Sequence, residues 1–290
     1  MNLTSPSQVK AWCIANGFHP NKVLGQNFLI DQNARNAIVD AGLEVCAGAE
    51  CPEVRDVLEI GPGLGVLTEE LLARGCRVTA IEKDPVLAER LPTALGNPPN
   101  LTVVAGDALD WISLSSRRPN AQTPEHPNLQ TSPALQAFSH MVSNLPYQAG
   151  TRILLDLVQT RAIPSLTVLV QTEVAERLAA AEGSKMRGLA GVWAQLDYDV
   201  KIVRKVSASC FWPRPEVGSS VVRLERHDRN VDLTAESRRV FHRLTKRAFE
   251  HRRKQLGSVF RDLIQSTRRA EELSNADWVA WARELKPTDV

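Results

Sequence analysis

Apolar positions in this chain fall into short runs that stop at polar residues or glycines, and these runs alternate with stretches of helical period. Val57-Leu58-Glu59-Ile60 is one such run. Gly61, Gly63 and Gly65 follow it at alternate positions, and a helical pattern continues from Val66 to Ala73. The spacing predicts a buried strand, a tight turn and a helix start. Further strands are predicted over 77–84, ending in Glu82-Lys83-Asp84, and over Leu101–Ala105, followed by Gly106-Asp107-Ala108. A fourth, His140–Ser143, precedes Asn144-Leu145-Pro146-Tyr147. A helix from Gly150 to Gln159 then leads to a strand over Leu166–Gln171, and helices over Glu173–Ala181 and around Val192–Leu196 follow. Strands at Val200–Val206 and Ser219–Leu224 read as an antiparallel hairpin. The alternation predicts an α/β fold: a mostly parallel sheet of about seven strands with helices on both faces.

The ends of the chain read differently. Residues 5–16 form a short amphipathic pattern, and Asp31 is placed to cap a helix running to Ala41. Between them lies a loop dense in amides and glycine, His19–Asp31. It is either a plain linker or a segment that folds over a ligand site. Residues 111–140 are rich in Pro, Ser, Asn and Gln and predict a long surface loop. From Asp228 the strand patterns stop, and helices are predicted over Thr234–Phe249, Arg252–Ile264, and from Ala270 or Asn275 to Leu285. The reading is a domain of residues 1–226 and a small all-α domain of residues 227–290.

Composition changes the picture in one place. The 290 residues carry a net charge of only +2, yet 225–270 holds 13 Lys and Arg against 6 Asp and Glu. The remainder is therefore net negative. Charged helix faces are often merely solvated, but this asymmetry follows the domain boundary and points to a phosphate-binding surface, with Arg247, Arg252, Arg253 and Lys254 as candidates. The five cysteines are odd in number and match no metal-ligand spacing, so a reducing compartment and no metal are expected. No apolar run has membrane-spanning length and no secretory leader is evident, so a cytoplasmic protein, taken to be a monomer, is expected.

Glycines let a backbone approach a ligand without a Cβ in the way, and the next helix presents free N–H groups there. The spacing is not the G-x-G-x-x-G of dinucleotide folds, so this turn alone fits either a nucleotide-like site or an ordinary strand-helix turn. An acid about twenty residues later, Glu82, is placed to accept ribose hydroxyls. Each such acid alone reads as a turn or cap residue. Three strands delivering chemistry to one sheet edge read as a site. Asn144-Leu145-Pro146-Tyr147 offers an amide oxygen and a carbonyl that can accept N–H bonds from a planar amine, with an aromatic ring to stack on its base. The alternative is a strand-ending turn with Tyr147 in the core. Phe211-Trp212-Pro213 supplies a second aromatic loop, either for stacking an extruded base or as an apolar plug.

Taken together, Gly25-Gln26-Asn27-Phe28-Leu29, Glu59-Ile60-Gly61-Pro62-Gly63-Leu64-Gly65, Ile81-Glu82-Lys83-Asp84, Gly106-Asp107-Ala108-Leu109, Asn144-Leu145-Pro146-Tyr147, Glu173–Leu178 and Phe211…Pro213…Pro215…Val217…Ser219–Leu224 closely resemble the motifs of the ribosomal RNA small-subunit adenine dimethyltransferases. Ala248-Phe249…Arg252-Arg253-Lys254-Gln255-Leu256…Phe260 resembles their helical C-terminal domain. The likeness spans residues 20 to 285 in the family's order.

The resemblance implies a Rossmann-like methyltransferase sheet, S-adenosylmethionine as methyl donor, and a target of two adjacent adenosines in the 3′-terminal hairpin of 16S ribosomal RNA, in the small subunit or its precursor. It implies that Gln26, Asn27 and Leu29 border the donor, with Asn27 near its amino-acid part, and that Gly61 and neighbouring backbone touch its methionine moiety. Glu82 would bind the ribose hydroxyls and Asp107 would accept from the adenine amine, with Glu59, Gly63, Lys83 and Ala108 also binding the donor. Asn144 would touch donor and target, Leu145 and Tyr147 would hold the target base, and Phe211 would complete the stack. The chain departs from the pattern in the length of the 111–140 loop and at Arg187, Ala190 and Gly191, where a Tyr and Leu-Ser are expected; no substrate contact is assigned there. Three rivals stand beside this reading. The macrolide-resistance methyltransferases act on 23S ribosomal RNA and have a smaller C-terminal domain. A largely non-catalytic assembly factor would need only the basic helices. DNA adenine methylases more often carry Asp-Pro-Pro-Tyr at the turn.

Overall fold

The computed structural model describes residues 2–21, 25–44, 54–115, 134–261 and 263–289. The elements run α1 (Pro6–Ala15), β1 (Phe28–Leu29), α2 (Gln32–Leu43), β2 (Asp56–Ile60), α3 (Val66–Ala73), β3 (Arg77–Glu82), α4 (Pro85–Ala94), β4 (Leu101–Ala105), α5 (Ala108–Ser115), β5 (His140–Asn144), α6 (Gly150–Thr160), β6 (Ser165–Gln171), α7 (Thr172–Ala179), α8 (Leu189–Asp197), β7 (Tyr198–Val206), β8 (Phe211–Trp212), β9 (Ser219–Arg226), α9 (Ala235–Glu250), α10 (Leu256–Phe260) and α11 (Asn275–Glu284).

Seven strands form one sheet in the order β4-β3-β2-β5-β6-β9-β7. The strands from β2 to β6 pair in parallel, and β9 runs antiparallel to β6. The expected sheet is therefore present. The chain builds outward from β2 through β3 to β4, then crosses to β5 on the other side of β2. Strand order reverses there, and a crevice opens outside the carboxyl ends of β2 and β5. Their register runs Val57↔His140 and Leu58↔Met141. Beyond it the buried Ser143 hydroxyl accepts the Ile60 N–H at 2.8 Å, so the strands part without leaving that donor unpaired.

Two helices absent from the sequence reading, α4 and α5, follow β3 and β4. Asp84 accepts the Val86 and Leu87 N–H groups, and Pro85 fills the first turn of α4, where no donor is needed. Asp31 caps α2 as expected, accepting from the Ala34 N–H at 2.7 Å. Of the expected loop over 111–140, residues 111–115 are the end of α5, Leu135–Ala137 form a short helical turn ahead of β5, and 116–133 lie outside the described residues, as do Cys46 and Cys51.

The chain divides into two compact units, Met1–Thr172 with Lys201–Glu225, and Glu173–Val200 with Arg226–Val290. The boundary placed near residue 226 is one of three crossings. Residues 173–200, read from sequence with the sheet domain, belong instead with the C-terminal helices. Val192 and Leu196 of α8 join Val240, Phe241, Leu244, Leu256 and Trp278 in the core of that second unit. The helix expected over 252–264 is shorter and begins at Leu256. Residues 251–254 form a turn closed by Lys254 N–H to His251 O. The following backbone is bound by Leu256 N–H to Arg268 O and Gly257 N–H to Ser266 O, and long-range main-chain bonds override the helical pattern. A two-stranded sheet pairs β1 with β8, Leu29 opposite Phe211. No helix among the described residues is long and apolar enough to cross a membrane.

Candidate functional site

The turn after β2 is built on left-handed backbone. Gly61, Gly63 and Gly65 have φ of +68°, +58° and +90°, a region that L side chains enter only at a cost. Space decides as well. A Cβ on Gly63 would lie 3.1 Å from the Phe28 ring, and one on Gly65 would lie 2.5 Å from Leu91 Cδ1. The turn is therefore pressed between β1 and α4, with its open side at the crevice. Glu82, at the end of β3, is 6 % exposed, and each of its oxygens is held by a main-chain donor. The Gly63 N–H donates to one at 3.0 Å and the Asp84 N–H to the other at 2.8 Å. Burial raises its pKa and these bonds partly offset the rise. A carboxylate has about four acceptor sites, so main-chain bonds leave it capacity to accept from a ligand's hydroxyl.

On the other side of the crevice stands the turn after β5. Residues 25–27 cross over it like a strap. Gly25 has φ +66°, and a Cβ there would lie 3.4 Å from Tyr147 N. Asn27 donates to Gly25 O, and the Asn27 carbonyl accepts from Asn144 Nδ2 at 3.3 Å. Gln26 donates to Asp84 Oδ2 at 2.9 Å, so the strap spans from the Glu82 side to the Asn144 side. Because Asn144 spends its N–H on the strap, its Oδ1 is the end left as an acceptor. Tyr147 is half-buried, with its hydroxyl 2.6 Å from Ser219 Oγ.

Two further acids complete the electrostatics. Glu59 is 1 % exposed and accepts the Thr68 hydroxyl at 2.7 Å. Burial pushes its pKa up to about 8, the Thr68 bond opposes this, and the nearby Glu82 adds to it. Asp107 is paired with Lys83 Nζ at 2.8 Å and caps the start of α5 through the Leu109 N–H. Burial pushes its pKa up, but the Lys83 bond and the Leu109 N–H outweigh that and hold the carboxyl below its usual range.

Gln26, Asn27, Leu29, Glu59, Gly61, Gly63, Glu82, Lys83, Asp107, Ala108, Asn144, Leu145 and Tyr147 all line one cavity of about 210 Å³ within the first unit. Phe211 does not. It is 2 % exposed, sits opposite Leu29 in the β1–β8 pair and packs into the apolar core, so the stacking role read for it is not supported by its position. Leu3 and Leu64 supply apolar wall that the sequence reading missed; nothing local in the sequence marks Leu3 for this.

The basic residues belong to the second unit. Arg247 lies over the Phe260 ring and donates to Val259 O, and Arg252 donates to Lys185 O and faces Glu271 at 3.5 Å. Arg253 and Lys254 are exposed in the turn before α10. Arg187, a departure noted above, is 2 % exposed and donates to Ala180 O, Gln195 Oε1 and Asn275 Oδ1. It braces the second unit. Among the described residues no group of three or more His, Cys, Asp and Glu could hold a metal.

Residues 17–284 match the family described as "Ribosomal RNA adenine dimethylase". A Deinococcus radiodurans protein named "Ribosomal RNA small subunit methyltransferase A" is 44% identical over 227 residues, covering 77% of this chain and 67% of that one. A protein of the same name from Leifsonia xyli subsp. xyli is 36% identical over 305 residues, 97% of this chain and 98% of that one. Among solved structures, a dimethyladenosine transferase from Plasmodium falciparum superposes with a TM-score of 0.66 over 88% of this chain and 95% of that one. At 20% identity this is a likeness of fold.

Proposed function

The chain belongs to the ribosomal RNA adenine dimethylase family, and from that premise we propose that it is an S-adenosylmethionine-dependent enzyme that dimethylates N6 of two adjacent adenosines of 16S ribosomal RNA in the small subunit or its precursor. The observation that carries the reading is the pairing of two turns across one crevice. The glycine turn with Glu82 lies on one side, and Asn144-Leu145-Pro146-Tyr147 lies on the other, bridged by the strap at 25–27.

The residues fit the cofactor. The turn after β2 lines the cavity through Gly61, Pro62, Gly63 and Leu64, and the Phe28 ring closes the side of Gly63 on which a Cβ would lie. Glu82 offers acceptors for ribose hydroxyls, Asp107 accepts at the purine end, and Leu29, Leu64 and Ala108 give apolar wall. When bound, the cofactor supplies an electrophilic methyl group on a sulfonium.

The chain's own task is to make a poor nucleophile usable. The N6 lone pair of adenine is delocalised into the ring. Asn144 Oδ1 and the Leu145 carbonyl would each accept an N–H from it, which favours a tetrahedral nitrogen with its lone pair free. The Asn144 amide is fixed before the base arrives by its bond to Asn27 O, and the Tyr147 ring by its hydroxyl's contact with Ser219. Catalysis then rests on positioning and needs no side chain to remove the proton beforehand; the proton leaves the methylated amine to water. The half-buried Tyr147 ring would stack on the base. The second unit, with Arg253 and Lys254 exposed, would hold RNA through its phosphates.

The test is methyl transfer from labelled S-adenosylmethionine to small subunits lacking the modification, large-subunit RNA and duplex DNA, with nucleoside mass spectrometry. N6,N6-dimethyladenosine confined to the small subunit is expected, and Asn144→Ala should abolish it while RNA binding persists. Label in large-subunit RNA would favour the resistance-type activity. No label, with donor binding intact, would leave a subunit assembly factor.

A further inference from the structure

Tyr147 is attached at both ends. Its backbone follows the Pro146 turn at the end of β5, and its hydroxyl lies 2.6 Å from Ser219 Oγ. Ser219 opens β9, opposite Gln171 at the carboxyl end of β6. Because β9 is antiparallel, its first residue comes to the same sheet edge as the ends of β5 and β6. The Tyr147 ring therefore reaches from β5 across the end of β6 to β9. Ser219 is fully buried, and Tyr147 is the partner of its hydroxyl among the described residues. The neighbouring Ser220 belongs to the opposite face by strand alternation and pairs with Thr172 Oγ1 at 3.1 Å. One serine of this pair is spent on the ring that lines the cavity and the other on the strand end.

We propose that Ser219 is a positioning residue of the target-base pocket, holding the Tyr147 ring in the orientation that receives the adenine. The proposal rests on the function argued above. It makes Ser219 act on the target base, since Ser219 is not among the residues lining the cavity and reaches it through the Tyr147 ring. A ring free to swing about its χ angles would have to be ordered each time a base enters, and one hydrogen bond removes that cost beforehand. The loss of one such bond corresponds to about a five- to tenfold effect.

The experiment compares Ser219→Ala, Tyr147→Phe, the double variant and Ser220→Ala. Each is assayed for kcat and KM on unmethylated small subunits, for S-adenosylmethionine affinity by calorimetry, and for tyrosine titration by absorbance. Ser219→Ala should lower kcat/KM about five- to tenfold with donor affinity unchanged. Tyr147→Phe should match it, and the double variant should show no further loss. Ser220→Ala removes an equally buried hydroxyl from the same strand and should keep kcat/KM within about twofold. Of the two tyrosines, Tyr147 and Tyr198, the Tyr147 phenol should titrate at higher pH in Ser219→Ala, since the Ser219 bond lowers a pKa that burial raises. Wild-type kcat/KM in Ser219→Ala, additive losses in the double variant, or an equal loss in Ser220→Ala would overturn the proposal. Failure of the wild-type protein to methylate any substrate would overturn the functional reading instead, and the titration would then decide whether Ser219 holds the ring.

Discussion

Replacing Glu59 by Gln should make the protein less sensitive to rising pH. Glu59 is 1 % exposed, and burial is the largest influence on its carboxyl, which ionises at about pH 8 rather than near 4.5. The Thr68 hydroxyl at 2.7 Å opposes the shift, and the Glu82 carboxylate reinforces it. The folded pKa is thus raised above the unfolded one. Between the two values the folded state holds a proton that the unfolded state has released, and stability is lost as pH climbs through that window. The group's contribution is complete below the unfolded pKa and declines toward the folded one. The limiting slope for a single group is about 1.4 kcal/mol per pH unit. Gln is neutral throughout and keeps one oxygen to accept from Thr68. The stability of Glu59→Gln relative to wild type should therefore rise by about 2 kcal/mol between about pH 6 and about pH 8. Urea unfolding of both proteins at the two pH values, without cofactor, measures this difference. Parallel pH dependence in the two proteins would refute the reasoning, because it would mean that Glu59 is ionised in the fold or reaches water.

Glu82→Gln should weaken S-adenosylmethionine binding by about 10- to 100-fold, since both Glu82 oxygens accept main-chain N–H bonds and an amide would set a donor against one of them. Calorimetry showing affinity within about twofold of wild type would be inconsistent with this. Gly65→Ala should destabilise the protein by about 2–4 kcal/mol, because φ is +90° and the new Cβ would lie 2.5 Å from Leu91 Cδ1; chemical denaturation reads this directly. Arg187→Ala should destabilise the second unit by about 3–5 kcal/mol by leaving the Gln195, Asn275 and Ala180 acceptors without its guanidinium. Limited proteolysis should locate the loss in that unit, with donor affinity unchanged.

The sheet was legible because its signals are local. A β-branched run ending in glycines needs no distant partner to be read, and β2, β3, β4 and β5 all end where a glycine, an acid or an amide stands. The elements misread are those fixed by contacts far along the chain. Nothing within residues 252–264 announces that Gly257 will bond to Ser266 O or that Leu256 will bond to Arg268 O. Nor do two apolar residues such as Phe28 and Leu29 read as a strand until Phe211 and Trp212 arrive to pair with them. Residues 173–200 follow the same logic. Their helical pattern was clear, but which core they enter depends on Phe241 and Trp278, which lie much later.

The candidate site divides along the same line. Glu82, Asp107 and Asn144 were visible because each ends a strand at one sheet edge, and topology alone brings strand ends together. What the sequence could not show is how they are held. Glu82 is immobilised by Gly63, nineteen residues away, and Asn144 by the carbonyl of Asn27, 117 residues away. Tyr147 depends on a serine 72 residues later. Phe211 fails for the opposite reason: its aromatic ring was read as free for a base, while its pairing with Leu29 commits it to the core. Residue type and strand position thus nominate a group for chemistry, but the partners of its remaining polar atoms decide whether it is available. Asn144 passes that test because, among the described residues, one end of its amide is occupied and the other is not. That asymmetry separates an acceptor for an amine from an amide that merely closes a turn.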